Sequence, residues 1–202
     1  SFTSTPTGGT FTWTNSNTPI GLSASGSGNI AAFTATNTGT TSISATITVT
    51  PTVNGCAGTP SSYTITVKPT PSVTVPANIS VCNNGTVAAT SFTSTPSGGT
   101  FTWTNSNTAI GLAASGSGNI ASFTATNIGT APISATITVT TTVNGCAGTP
   151  SPYTITVNPL PQGSISGNTI CSGGTGQLTF SSSSGTGPFT LIIDGTSYSG
   201  VE

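Results

Sequence analysis

Between residues 133 and 143, apolar and hydroxyl side chains alternate, with Thr141 the one hydroxyl at an apolar position. Ile133, Ala135, Ile137, Val139, Thr141 and Val143 form one set, and Ser134, Thr136, Thr138, Thr140 and Thr142 the other. A period of two belongs to a strand with one inward face. Ile137 and Val139 are therefore expected in a core and the hydroxyls on the surface. The stretch from Ile43 to Val53 carries nearly the same alternation. Further strands are predicted at Tyr153, Ile155 and Val157, and at Ala121, Phe123 and Ala125. Another is predicted at Phe101 and Trp103, framed by Thr100, Thr102 and Thr104. Val73 and Val75 predict an opening strand, and Thr86 to Thr93 one that precedes the aromatic strand. Turn chemistry separates them at Pro96-Ser97-Gly98-Gly99, at Ser115-Gly116-Ser117-Gly118-Asn119 and at Asn144-Gly145. No stretch has a helical period. About seven short strands with one early Trp is the pattern of a β-sandwich, so the fold class is all-β. Trp13 and Trp103 share parity with inward neighbours. They are expected in the core, with Phe101, Phe123, Ile155 and Val157, rather than as sugar-stacking platforms.

The chain repeats itself. Residues 1–71 and 91–161 match at 60 of 71 positions, at an offset of 90. A unit of that length suits one sandwich domain with its own core and is too long for a solenoid rung. The predicted organisation is a partial repeat over 1–69 with its front missing and a complete repeat over 70–159. A partial, diverged repeat over 160–202 with its rear missing would follow. Lys68-Pro69-Thr70-Pro71 and Asn158-Pro159-Leu160-Pro161 read as stiff linkers.

Charge then narrows the function. Only Lys68, Asp194 and Glu202 are charged among 202 residues, and there is no His, Arg or Met. The predicted complete repeat has no charged side chain at all. General acid–base catalysis needs positioned titratable groups, nucleic-acid binding needs cations to replace phosphate counterions, and metal sites need ligand clusters. The expectation is a non-enzyme without cofactor, metal or nucleic acid. The 46 Thr and 30 Ser supply the polar surface that charge would otherwise provide. A net charge of −1 gives little mutual repulsion, so self-association is expected.

One set of motifs points to a family. Gly99-Thr100-Phe101-Thr102-Trp103-Thr104-Asn105-Ser106, Phe123-Thr124-Ala125-Thr126-Asn127, Ala135-Thr136-Ile137-Thr138-Val139, Asn144-Gly145-Cys146-Ala147-Gly148 and Tyr153-Thr154-Ile155-Thr156-Val157-Asn158-Pro159 resemble the PKD-like, immunoglobulin-like repeats of very large Bacteroidota surface proteins. Those are similar to gliding and attachment adhesins exported by the type IX system. The resemblance covers the complete repeat and residues 1–69. It departs from the PKD pattern in lacking the aspartate-rich WDFGDG motif, since Thr104-Asn105-Ser106 follows Trp103. It implies tandem immunoglobulin-like sandwiches in an extracellular stalk or filament at the cell surface, with no catalytic residues. The expected partners are neighbouring repeats of the same chain, other copies associating side by side or end to end into fibres, and a surface glycan. The alternative reading is a carbohydrate-binding accessory module of a secreted enzyme, with Tyr63, Tyr153 and Tyr198 as its remaining aromatics. An ice-binding repeat is a further one, from the Thr-x-Thr rows.

Four cysteines, Cys56, Cys82, Cys146 and Cys171, alternate between two kinds of turn, which in a secreted β array predicts disulfides. Pairing within the complete repeat, Cys82 with Cys146, is the first expectation. Pairing across junctions (Cys56–Cys82 and Cys146–Cys171), a bond between units, and free thiols stay open. Absence of a CxxC pair argues against zinc. Asn78-Ile79-Ser80 and Asn84-Gly85-Thr86 match a glycosylation sequon but read as turn asparagines.

Overall fold

A computed structural model describes residues 1–184, 187–193 and 196–201. Asp194 and Glu202, two of the three charged residues, lie outside the described residues, as does the side chain of Tyr198. The chain packs as two compact units. One is Ser1–Val73 with 94–99 and 141–149, and the other is 74–93, 100–140 and 150–202.

The first unit holds a sheet of β1 (Thr10–Asn15), β2 (Ser25–Ser27), β3 (Ile43–Val53), β4 (Cys56–Ala57) and β5 (Ser61–Val67). Its order is β2-β1-β3-β4, and β5 pairs antiparallel with β3 on the edge opposite β1. Trp13, Ile20, Leu22, Ala45, Ile47 and Val49 are buried together.

The next strands are β6 (Ser72–Thr74), β7 (Ile79–Cys82), β8 (Thr86–Val87), β9 (Thr93–Thr95), β10 (Thr100–Asn105), β11 (Ser115–Ser117), β12 (Phe123–Thr124), β13 (Ile133–Val143), β14 (Cys146–Ala147) and β15 (Ser151–Asn158). The main sheet has the order β11-β10-β13-β15-β7, with β14 on the far end of β13. Two short pairs, β8–β12 and β6–β9, supply the remaining ladders. Ile137, Val139, Ile155, Val157 and Trp103 are buried, as their alternation requires. Burying each such side chain contributes about 1.5–3 kcal/mol. Val87, Phe92, Ile110, Leu112, Ile120 and Ala125 are buried with them. Strands β16 (Gln162–Gly167) and β17 (Leu178–Ser184) then form one hairpin, and β18 (Phe189–Ile193) and β19 (Thr196–Val201) another. The fold is all-β, an immunoglobulin-like sandwich in tandem.

Local chemistry explains the sharp features. Asn144 (φ 50°) and Gly145 (φ 82°) both occupy the left-handed region and close the β13–β14 hairpin, with Val143 opposite Cys146. That is the turn Asn-Gly favours. Two 3₁₀ turns, Thr18–Ile20 and Thr108–Ile110, drive Ile20 and Ile110 fully into the interior and stop at Gly21 and Gly111 in the left-handed region.

The structure departs from the sequence expectations in five places. Ser115-Gly116-Ser117, expected as turn, is strand β11 against β10, with Gly116 opposite Trp103. Gly is tolerated there because the Trp103 ring lies where a Cβ would stand. The stretch from Thr86 to Thr93 is not one strand but β8, a bridge from Thr90 to Ile120 and β9. Ala121 is exposed and outside β12, which spans only Phe123–Thr124. Phe101 and Phe123 are half-buried rather than core residues. Phe101 instead tilts against Phe92 at 5.8 Å. Residues 79–82, where the sequence predicts no strand, form β7, which pairs in parallel with β15.

Candidate functional site

The outward face of the first sheet is a field of hydroxyls. Ladder register aligns Ser27, Thr12 and Thr50 in one row, and Ser25, Thr14, Thr48 and Ser62 in the next. Thr46 with Thr64, and Ser44 with Thr66, extend it, and the last pair is hydrogen bonded at 2.9 Å. Ser134 and Thr156 repeat that bond at 2.9 Å in the second copy. With strands about 4.8 Å apart and side chains about 6.7 Å apart along each strand, the surface offers dense neutral donors and acceptors and no titratable group.

Buried polarity in the second copy is structural. Buried Asn105 donates from Nδ2 to the Leu112 carbonyl at 2.9 Å and accepts from the Asn107 N–H at 3.0 Å. Asn127, 3% exposed, donates to the carbonyls of Ala131 and Val157 and accepts from the Gly129 N–H. These asparagines resemble turn residues in sequence, and only the fold shows them as buried staples. A second unforeseen signal is spacing. Phe2–Phe11, Phe92–Phe101 and Phe180–Phe189 are each nine residues apart, with ring centroids at 5.7, 5.8 and 5.8 Å.

Neither tryptophan forms a platform. Trp13 and Trp103 are buried, each ring over a glycine, Gly26 or Gly116. Both indole N–H groups lie buried without an acceptor among the described residues. Tyr153 is buried too, and that burial pushes its hydroxyl pKa up, with the Thr90 side chain acting in the opposite direction. Lys68 donates from Nζ to the Asn144 carbonyl at 2.8 Å, so the one cation caps a turn carbonyl. No group of three or more His, Cys, Asp or Glu side chains gathers among the described residues. Among those residues no helix is long and apolar enough to cross a membrane. The sequon asparagines act in turns and edges. Asn78 accepts from the Thr154 N–H at 2.9 Å, and Asn84 has φ 63°.

The cysteines do not form the expected pair. All four are free. Cys82 lies opposite Asn158, beside the Val157–Ile133 end of β13, whereas Cys146 lies opposite Val143 at the other end. Ten residue steps of strand separate Ile133 from Val143, roughly 33 Å, against about 4.4–6.8 Å between the Cα atoms of a disulfide. Even spacing in sequence fits a bond, but register puts the partners at opposite ends. The Cys82–Cys146 expectation is therefore corrected.

In the complete repeat β15 is flanked by both β13 and β7. In the first copy β5 pairs only with β3 among the described residues. Tyr63 on β5 is 43% exposed, whereas its counterpart Tyr153 is 3% exposed. A groove of about 390 Å³, lined by Phe2, Phe11, Val49 and Tyr63 among others, opens there.

Tandem sandwiches with a neutral surface define a class of repeat protein. The chain belongs to the PKD-like domain family, whose model matches residues 2–71 and 79–161. No curated protein matches it. Among solved structures, one similar chain is the surface layer protein SbsC, domains 4–9, at 14% identity and TM-score 0.26. The match covers 93% of this chain and 33% of that one, so the chain spans a third of SbsC's solved length.

Proposed function

We propose that this chain is a structural, non-catalytic segment of an extracellular bacterial surface protein, the stalk or filament of an adhesin. Its domains are the partial repeat 1–69, the complete repeat 70–159 and the partial repeat 160–202. One observation carries the reading: a complete PKD-like unit in tandem, without a single charged side chain, whose one tyrosine is buried. Such a unit has a stable core and a polar skin, and apart from that tyrosine and the thiols of Cys82 and Cys146 it has no side chain to hold or move a proton. Its product is geometry, namely folded beads at a fixed interval. Neighbouring repeats of the same chain are its first partners. The neutral hydroxyl face supports side-by-side association of copies, since neither charge repulsion nor an apolar patch governs that surface. Burial of both tryptophans and of Tyr153 weighs against the carbohydrate-binding alternative. Negative-stain microscopy of the native protein tests the proposal. Beaded filaments are expected, whereas a single globular particle with glycan binding overturns it.

A further inference from the structure

We infer that the outer edge of β11, like its counterpart β2 in the first copy, is a pairing site for the same edge of a second chain, joined antiparallel about a two-fold axis at Gly116 or Gly26. Two bonds fix the parity of the edge. The Gly118 N–H donates to the Phe101 carbonyl at 2.9 Å, and the Asn105 N–H donates to the Ala114 carbonyl at 2.8 Å. Residues 114, 116 and 118 therefore turn their main chain towards β10, and the N–H and C=O groups of Ser115 and Ser117 point away from it. The first copy repeats this pattern. The Gly28 N–H donates to the Phe11 carbonyl at 2.9 Å and the Asn15 N–H to the Ala24 carbonyl at 2.7 Å, which leaves Ser25 and Ser27 facing out. Both β11 and β2 end their sheets among the described residues, and all four serines are exposed. The β11 edge lies inside the complete repeat, with described chain on either side of it, so it is a property of the repeat itself.

Several observations select a second chain as the occupant. Ser-Gly-Ser reads the same in both directions, so an antiparallel copy of the edge sets acceptors opposite donors. With Gly116 opposite its own equivalent, Ser115 pairs with Ser117 of the second chain, and Ser117 with Ser115 of the second chain. Every outward main-chain group is then bonded. At the axis the two glycines form the pair without main-chain bonds, where Cα atoms approach to about 4.5 Å, and neither has a side chain to obstruct the approach. Ser115 and Ser117 lie opposite Thr104 and Thr102 and share their outer face. The hydroxyl rows of one chain thus run on across the axis into those of the other, and such cross-strand pairs are favourable. None of the usual deterrents stands on the edge, since residues 113–119 and 23–29 hold no charged side chain and no proline. This inference rests on the association of copies proposed above and gives it a main-chain contact in place of a face.

Sedimentation velocity of the full 202-residue chain from micromolar to millimolar concentration, with amide exchange read over the same range, tests it. Association should rise with concentration, and exchange at Ser25, Ser27, Ser115 and Ser117 should slow in step. The amides of Gly26 and Gly116, which already face β1 and β10, should not change. The double variant Ser27→Pro, Ser117→Pro removes one outward N–H from each edge and none from the β1 or β10 ladder, so it should weaken association about tenfold or more. A second double variant, Thr46→Ala with Thr136→Ala, alters the middle of each hydroxyl face and should associate as the parent does. If the proline variant loses its fold, exchange at the four serines in the parent chain decides alone. Equal exchange there at all concentrations, or undiminished association of a folded proline variant, overturns the edge. Loss of association in the alanine variant alone also overturns it and assigns the contact to the face. A chain that is monomeric throughout overturns the edge and the association of copies together.

Discussion

Gly116→Ala should destabilise the second copy while leaving the first almost untouched. An added Cβ would stand 2.6 Å from Trp103 Cε2 and 2.9 Å from Cη2, well inside ordinary contact. The ring has little room to retreat, because Trp103 is itself only 7% exposed. Overpacking of this kind costs about 1–3 kcal/mol, or a fall in Tm of roughly 4–8 °C per kcal/mol for a domain of this size. Urea unfolding with amide exchange read separately on β10–β11 and β1–β2 measures it, and β1–β2 serves as the internal control. A double-mutant cycle isolates the cause. If the ring is what the methyl meets, Gly116→Ala should cost close to nothing in a Trp103→Leu background, a coupling of about 1–3 kcal/mol. An undiminished cost in that background would refute the ring-over-glycine account and point to the backbone of β11 instead.

Asn127→Ala should cost about 3 kcal/mol, because it strands two carbonyls and one N–H that its side chain serves at about 1 kcal/mol each; urea denaturation with an unchanged slope checks it. Tyr153 sets the alkaline limit. Its pKa is raised by burial, so the folded state holds the phenolic proton more tightly than the unfolded state. That stabilisation is fully present below about pH 10, the ordinary tyrosine value, and is lost as pH rises through the folded value. A Tm measured from pH 7 to 11.5 should fall above about 10, and Tyr153→Phe should flatten that fall. Non-reducing peptide mapping of the native protein should yield no peptide linking Cys82 to Cys146, and finding one contradicts the register of β13 with β15 and β14.

What was legible in the sequence was what a single strand decides for itself. The alternation from Ile133 to Val143 predicts burial on one side because period two leaves no other arrangement. Asn144-Gly145 predicts its hairpin because both residues tolerate positive φ. What was hidden depends on a partner far away in the chain. Ser115-Gly116-Ser117 has turn composition and becomes a strand only because Trp103 needs a bare backbone to lie on. Nothing within residues 79–82 states that they will join β15, some 76 residues on, in parallel. Asn105 and Asn127 look like loop residues until the carbonyls they satisfy are placed. The cysteine pairing failed for the same reason: spacing in sequence carries no register.

Edges bring these threads together, because residues 70–159 have no charged side chain and so lack the usual means of protecting them. Exposed strand edges invite pairing, and many proteins place Lys there. Here β15 has odd residues bonded to β13 and even residues facing out, so the proline at 152, opposite Thr138, removes an N–H from the open side at no cost to the β13 ladder. Asn78 takes the next outward N–H, that of Thr154, with its side chain, and β7 covers the rest.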